Sequence, residues 1–140
     1  MIEIEFRGKV KENFCDDKNQ VVIPKGKWIY GGVTGNDTRV WINTPYYGEI
    51  IVDRETVGQY TGYKDKQGKK IFNGDILVLD KTLFSDKTKY VLLWNKKYLR
   101  YYLFPINKKK KIVPSIVLEA VLSEMMAEIV GNIYDEEILI

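Results

Sequence analysis

Three observations predict an α+β protein that is mainly β. Ten tyrosines, five phenylalanines and three tryptophans accompany many Val and Ile residues, all of which suit a pleated, half-buried surface. Short apolar segments recur between turns that carry Gly, Asn, Asp or Pro. Only one stretch, after Pro114, repeats its apolar residues at helical spacing. The predicted arrangement is a small N-terminal β-rich sheet unit over residues 1–55 and a compact β-rich unit over residues 56–140, with one helix inserted before the final strand.

In the first unit, Ile2–Phe6, Lys27–Tyr30, Arg39–Asn43 and Glu49–Val52 read as strands. Asn19-Gln20, Thr34–Asp37 and Thr44–Gly48 separate them, and the last, with Pro45 and Gly48, has the composition of a hairpin loop. In the second unit, Val57–Tyr63 is strand-like, and Gly58 and Gly62 point to a bulge or a close backbone approach. Lys64–Lys69 forms a turn, with Gly68 available for positive φ. Asn73-Gly74-Asp75 is a second turn, leading into Ile76–Leu79 as a buried strand. Tyr90–Trp94 and Tyr98–Phe104 flank the short loop Asn95-Lys96-Lys97 as a hairpin. The helix is expected near 115–128: Ser115 can cap it, and Leu118, Val121, Leu122, Met125, Met126 and Ile129 fall on one side. Gly131 ends or kinks that pattern, and Asn132–Tyr134 opens a last strand at the sheet edge.

The residue inventory excludes several chemistries. There is no histidine, which removes Ser–His–Asp and Cys–His catalysis and the commonest general base near neutral pH. Cys15, the single cysteine, cannot form an internal disulfide, and a zinc site needs several Cys or His ligands. With 140 residues, 45% of them hydrophobic and 29% charged, the chain is long enough for a real core and ordinary for a globular protein. No apolar run approaches the ~18 residues needed to cross a bilayer. Met1–Arg7 lacks the basic-then-apolar pattern of a signal peptide, so no membrane contact and a cytoplasmic location are expected.

Two motifs invite a functional reading. Asp65 and Asp75 could pair around a divalent ion, but each is explained as well by turn hydrogen bonding to backbone amides. No metal, cofactor or catalytic residue is therefore assigned, and the chain is read as a non-enzyme. Gly31-Gly32-x-x-Gly35 has no following helix to present amides to a phosphate. The segment 87–111 carries more information. Trp94, Tyr98, Tyr101, Tyr102 and Phe104 interleave with Lys96, Lys97, Arg100 and the run Lys108, Lys109, Lys110, Lys111. Aromatic faces beside cations can stack bases and neutralise phosphates, or contact a protein partner. Charge is lopsided around it: Leu79–Val113 holds ten Lys/Arg against two acids, and Pro114 onward holds six acids and no base. Opposite blocks of this kind can also complement each other within the chain.

Three blocks resemble the YopX family, small proteins encoded by phages and prophages of low-GC Gram-positive bacteria. They are Ile4–Lys9 with Trp28–Gly31, then Thr56–Leu77, then Ile129–Tyr134. Departures are mild: Tyr63 stands where the family usually has Leu, Asn73 where it usually has Glu, and Asp135–Ile140 replaces a typical Glu-Asn-Pro-Glu-Leu-Leu. The resemblance implies an SH3-like β-barrel for the C-terminal portion. It carries over no activity and no catalytic residue. The expected function is that of a phage accessory protein acting as a protein-interaction module with a host or phage protein. Nucleic-acid binding through 87–111 is the alternative, and open sheet edges allow a homo-oligomer.

Overall fold

Strands dominate the regular structure of the described residues. The computed structural model describes residues 3–80, 88–106 and 115–135, and these form two compact units, Met1–Tyr60 and Thr61–Ile140. Twelve strands and one α-helix occur among the described residues, so the α+β, mainly β class holds. No described helix is long and apolar enough to cross a membrane.

The first unit contains β1 (Phe6–Lys9), β2 (Phe14–Cys15), β3 (Val21–Ile23), β4 (Trp28–Gly35), β5 (Val40–Thr44), β6 (Gly48–Val52), a 3₁₀ turn (Arg54–Thr56) and the start of β7 (Gly58–Lys64). The strands run antiparallel in the order β6-β5-β4-β1-β7, and β2-β3 is a separate ribbon. The sheet curls until Val10 bridges Val52 of β6. Asp53 N–H donates to the Lys9 carbonyl at 2.8 Å and Lys11 N–H to the Ile51 carbonyl at 3.1 Å. Gly8 permits this approach, because a Cβ there would lie 3.0 Å from Val52 Cγ2. Strand alternation does the rest. Val10, Ile29, Ile42 and Val52 fill the core, and Arg7, Lys9, Trp28 and Tyr30 take the opposite face. Alternation in Ile2–Phe6 suggested an earlier first strand, but Gly8 and Val10 place β1 further along. The strands of the ribbon β2-β3 are too short to stand out in sequence.

The second unit contains the rest of β7, β8 (Lys70–Phe72), β9 (Asp75–Leu79), β10 (Lys89–Asn95), β11 (Arg100–Pro105), α1 (Ser115–Ser123) and β12 (Ala127–Asn132). The sheet order β11-β10-β9-β12 has two ends, so the four strands do not close into a barrel among the described residues. Leu77, Tyr90, Leu92 and Leu103 pack with Leu118, Val121 and Leu122 of the helix. Pro114 lies outside the described residues.

The helix stops earlier than its apolar periodicity indicates. Met126 N–H donates to the Val121 carbonyl (2.9 Å) and Met125 N–H to the Leu122 carbonyl (3.2 Å), while Met125 adopts φ 54°. This pair of bonds is a Schellman stop, here with methionine in the left-handed position that glycine normally takes. Met125 is consequently exposed, and Ile129 serves β12 instead of the helix. Periodicity survived the stop because Met126 and Ile129 still pack against the same core.

Two turns in the unit are tied down by side chains of the Thr56–Asp75 stretch. At the first, Asp65 Oδ1 accepts from the amides of Gln67 and Lys69, each at 2.9 Å, and Oδ2 accepts from Ile129 of β12 at 3.2 Å. At the second, Asp75 Oδ2 accepts from Phe72 N–H at 2.7 Å. Gly74 N–H donates to the Leu92 carbonyl at 2.7 Å, and Asn73 Oδ1 accepts from Trp94 N–H at 2.8 Å. The Asn73-Gly74 turn thus continues the β10 ladder past Ile76, the last β9 residue paired with it. Gly74 is required twice over: its φ is +94°, and a Cβ would sit 2.8 Å from Tyr134 Cε2. Gly74→Ala is expected to destabilise the protein by about 2 kcal/mol or more, since left-handed backbone alone penalises an L side chain by ~1–2 kcal/mol. Chemical denaturation checks this, and an unchanged midpoint would contradict it.

Candidate functional site

The carboxylates come first, because a shared cation would make them a reaction centre. Asp65 and Asp75 are each 1% exposed, and the oxygens described above accept main-chain amide protons. Burying a carboxylate demands such donors, and here the donors belong to the turns the residues occupy. Among the described residues, no three Asp, Glu, Cys or His side chains group as a metal site. Cys15 is exposed at the end of its short strand. These features account for the Thr56–Asp75 stretch as architecture.

The basic-aromatic segment is a hairpin whose register decides what its side chains can do. Trp94 pairs with Tyr101, Leu93 with Tyr102 and Asn95 with Arg100. Directly opposed residues share a face, so the segment divides. On one face Trp94 meets Tyr101 edge-on at 4.9 Å, continuing outward from the buried Leu92–Leu103 pair. On the other, Tyr98, Tyr102 and Phe104 form a ring ladder with centroids 6.2 and 6.0 Å apart. Lys97 Nζ lies 5.3 Å from the Tyr98 ring centre, and Lys96 is exposed beside it. The hairpin therefore separates Trp94 from Tyr98 and Tyr102. Lys108, Lys109, Lys110 and Lys111 lie outside the described residues.

The turn itself is built by Asn95, whose Oδ1 accepts from the amides of Lys97 (2.9 Å) and Tyr98 (3.1 Å). It runs to Leu99, which takes φ 53° and is 72% exposed, so β11 starts at Arg100 rather than Tyr98. Below Leu99, a groove of about 520 Å³ opens between the hairpin and α1. Trp94, Tyr101 and Tyr63 form its aromatic walls, Leu118 and Leu122 its floor, and Arg100 and Glu119 its polar lining. Tyr63, Leu99 and the helix residues were not singled out from sequence as site residues, whereas Tyr101 was read as part of the basic-aromatic segment. The exposed Leu99 was the available signal, masked by reading it as mid-strand.

Burial raises the Tyr101 phenol above its ordinary pKa. A phenol that keeps its proton longer when folded contributes stability that is complete below about pH 10 and is lost as pH climbs through the folded value. Tyr101→Phe removes that contribution. The variant's denaturation midpoint is expected to fall less steeply than wild type above pH 10, and parallel declines would contradict the assignment.

Fold and site together define a two-unit antiparallel β protein with an aromatic hairpin groove. A family model described as YopX protein matches residues 6–140. The chain belongs to the YopX family. No curated protein matches it in a sequence search.

Proposed function

We propose that the protein is a non-enzymatic interaction module, a phage accessory protein that grips a host or phage protein through the β10–β11 hairpin and the groove beside α1. One observation carries this reading: Trp94 and Leu99 are 46% and 72% exposed next to a preformed groove walled by Tyr63 and Tyr101. Trp, Tyr and Arg dominate the residues whose truncation weakens protein interfaces, and this groove offers all three. Side chains already held by edge contacts and by the Asn95 turn lose little further freedom on binding. A cytoplasmic location and an SH3-like barrel in the second unit belong to the same reading. In favour of the barrel are the antiparallel strands β9 to β12 and the bond from the β7–β8 turn to β12, and in favour of self-association the open sheet ends.

A second reading has its own support. The Tyr98–Tyr102–Phe104 ladder with Lys97 at its edge is a stacking surface with a cation, as single-stranded nucleic acid requires. Lys96, Arg100 and the Lys108–Lys111 run would supply the phosphate contacts.

The two faces allow a clean test with a photo-crosslinker placed at Leu99 in the host cell. A discrete protein adduct that disappears in Trp94→Ala is expected, with about 2 kcal/mol or more lost in the affinity of the isolated pair. Adducts to nucleic acid, abolished by replacing Lys96 and Lys97 with serine and weakened steeply by salt, would favour the second reading. An adduct pattern indifferent to every one of these substitutions would overturn both.

A further inference from the structure

Strand β4 serves two ladders in turn. Residues 28–31 pair with β1 and residues 32–35 with β5, and no second strand pairs with 32–35 among the described residues. Antiparallel alternation fixes where the backbone groups point. Asn36 N–H donates to the Arg39 carbonyl at 2.9 Å, so Thr34 and Gly32, two and four positions back, also face β5. Val10 N–H donates to the Lys27 carbonyl at 3.0 Å, which puts the odd-numbered residues of β4 on the β1 side. Val33 and Gly35 therefore aim their N–H and C=O groups where β1 has already ended. Ile4, which the β1 register would set opposite Val33, lies outside any strand and is 69% exposed. Gly32, Val33, Thr34 and Gly35 are all exposed. Proteins guard such edges with Lys, Pro, a bulge or a covering loop. The Gly-Val-Thr-Gly sequence here has neither lysine nor proline. The sheet ends are less available, since the Val10–Val52 bridge ties β6 to the end of β1 and Leu103 of β11 is fully buried.

We propose that residues 32–35 of β4 pair antiparallel with the same stretch of a second copy of the chain, across a two-fold axis at Thr34. In that register Val33 meets Gly35 of the second copy and Gly35 meets its Val33, so every outward N–H group of the two stretches finds a carbonyl. A shift of two residues either way leaves a single such pair, because Gly31 is already paired with Phe6 and the β4–β5 turn begins at Asn36. Thr34 then lies directly opposite Thr34, a favoured cross-strand pair, and both Val33 side chains share one face beside the axis. No charged residue lies in β4, so the strand brings no like charges together. Its glycines offer no side chain by which a foreign sequence could be read. A side chain at Gly32 would meet nothing within 4 Å, which leaves that position open to a second backbone. Two-fold pairing uses the edge in both copies, so assembly through it closes at a dimer. This extends the self-association part of the reading above and does not depend on the hairpin groove.

Sedimentation velocity of the full chain, from low to high micromolar concentration, should show a weak monomer–dimer equilibrium. In hydrogen exchange over the same range, the Val33 and Gly35 amides should gain protection as the dimer forms. Those of Gly32 and Thr34, which face β5, should not depend on concentration. Thr34→Lys and Thr34→Glu each set like charges opposite one another on the axis and should weaken dimerisation about fivefold or more. Mixed in equal amounts, the two variants should form a heterodimer, because lysine then faces glutamate. Val33→Pro removes an outward N–H and no bond to β5, so it should abolish the dimer; the Thr34 variants, at an exposed position, decide the matter if it fails to fold. A chain that stays monomeric at every concentration, a dimer unaffected by Thr34→Lys, or a mixture without heterodimer would each overturn the proposal. A dimer that persists in all these variants would place self-association at another edge, and none of these outcomes bears on crosslinking at Leu99.

Discussion

One buried carboxylate holds the second unit in register. Asp65 is 1% exposed and takes amide protons from both arms of its own turn, Gln67 and Lys69, and from Ile129 of β12. Each hydrogen bond to a charged group is worth roughly 1.5–3 kcal/mol, and losing the acceptor would strand buried donors as well. The Lys66 amide adds a bond to the Ala127 carbonyl at 2.9 Å, so the β7–β8 turn and β12 are joined from both directions. By contrast, the Lys66–Glu128 ion pair at 3.3 Å is half solvent-exposed and adds little. Because β12 pairs with β9 and β9 with β10, a fixed β12 also fixes the hairpin that carries Trp94 and Tyr101. The Asn73 and Gly74 bonds to β10 secure the same strand further along.

This arrangement explains how a chain without histidine can still present specific surfaces. Rigid backbone turns, fixed by Asp and Asn side chains, aim aromatic rings outward while aliphatic residues close each core. In the second unit the Asn95 turn exposes Leu99 above a groove, and in the first unit the Thr44 turn orients Tyr47. In the proposed reading, the hairpin surface would hold its partner by shape and ring contact. Preorganisation of this kind favours binding because little side-chain entropy remains to be lost.

Much of the fold was legible in the sequence. Turn glycines and Asn/Asp pairs located the hairpins correctly, because positive φ and local side-chain capping are set by the residues themselves. Gly68 and Gly74 do adopt φ +84° and +94°. Boundaries that depend on tertiary packing were not legible. Helix α1 ends at Ser123, stopped by a left-handed methionine at position 125, a choice that local propensity disfavours and packing of Met126 enforces. Strand β1 begins at Phe6 because Gly8 must pass close to Val52, a partner 44 positions away in sequence. For the candidate site, residue types were readable and their grouping was not. Trp94, Tyr98 and Tyr102 appear together in sequence, yet the Leu99 turn and the cross-strand register send them to opposite faces. The groove partners Leu118 and Leu122 come from a helix that sequence places only as core.

Native-state hydrogen exchange at Gln67, Lys69 and Ile129, compared between wild type and Asp65→Ala, addresses the central claim most directly. In the wild type all three amides should exchange only through openings close in free energy to unfolding of the second unit. In the variant all three should lose protection together, by about a hundredfold or more. Rapid exchange of Ile129 in the wild type, or unchanged protection in Asp65→Ala, would contradict the role given to this carboxylate.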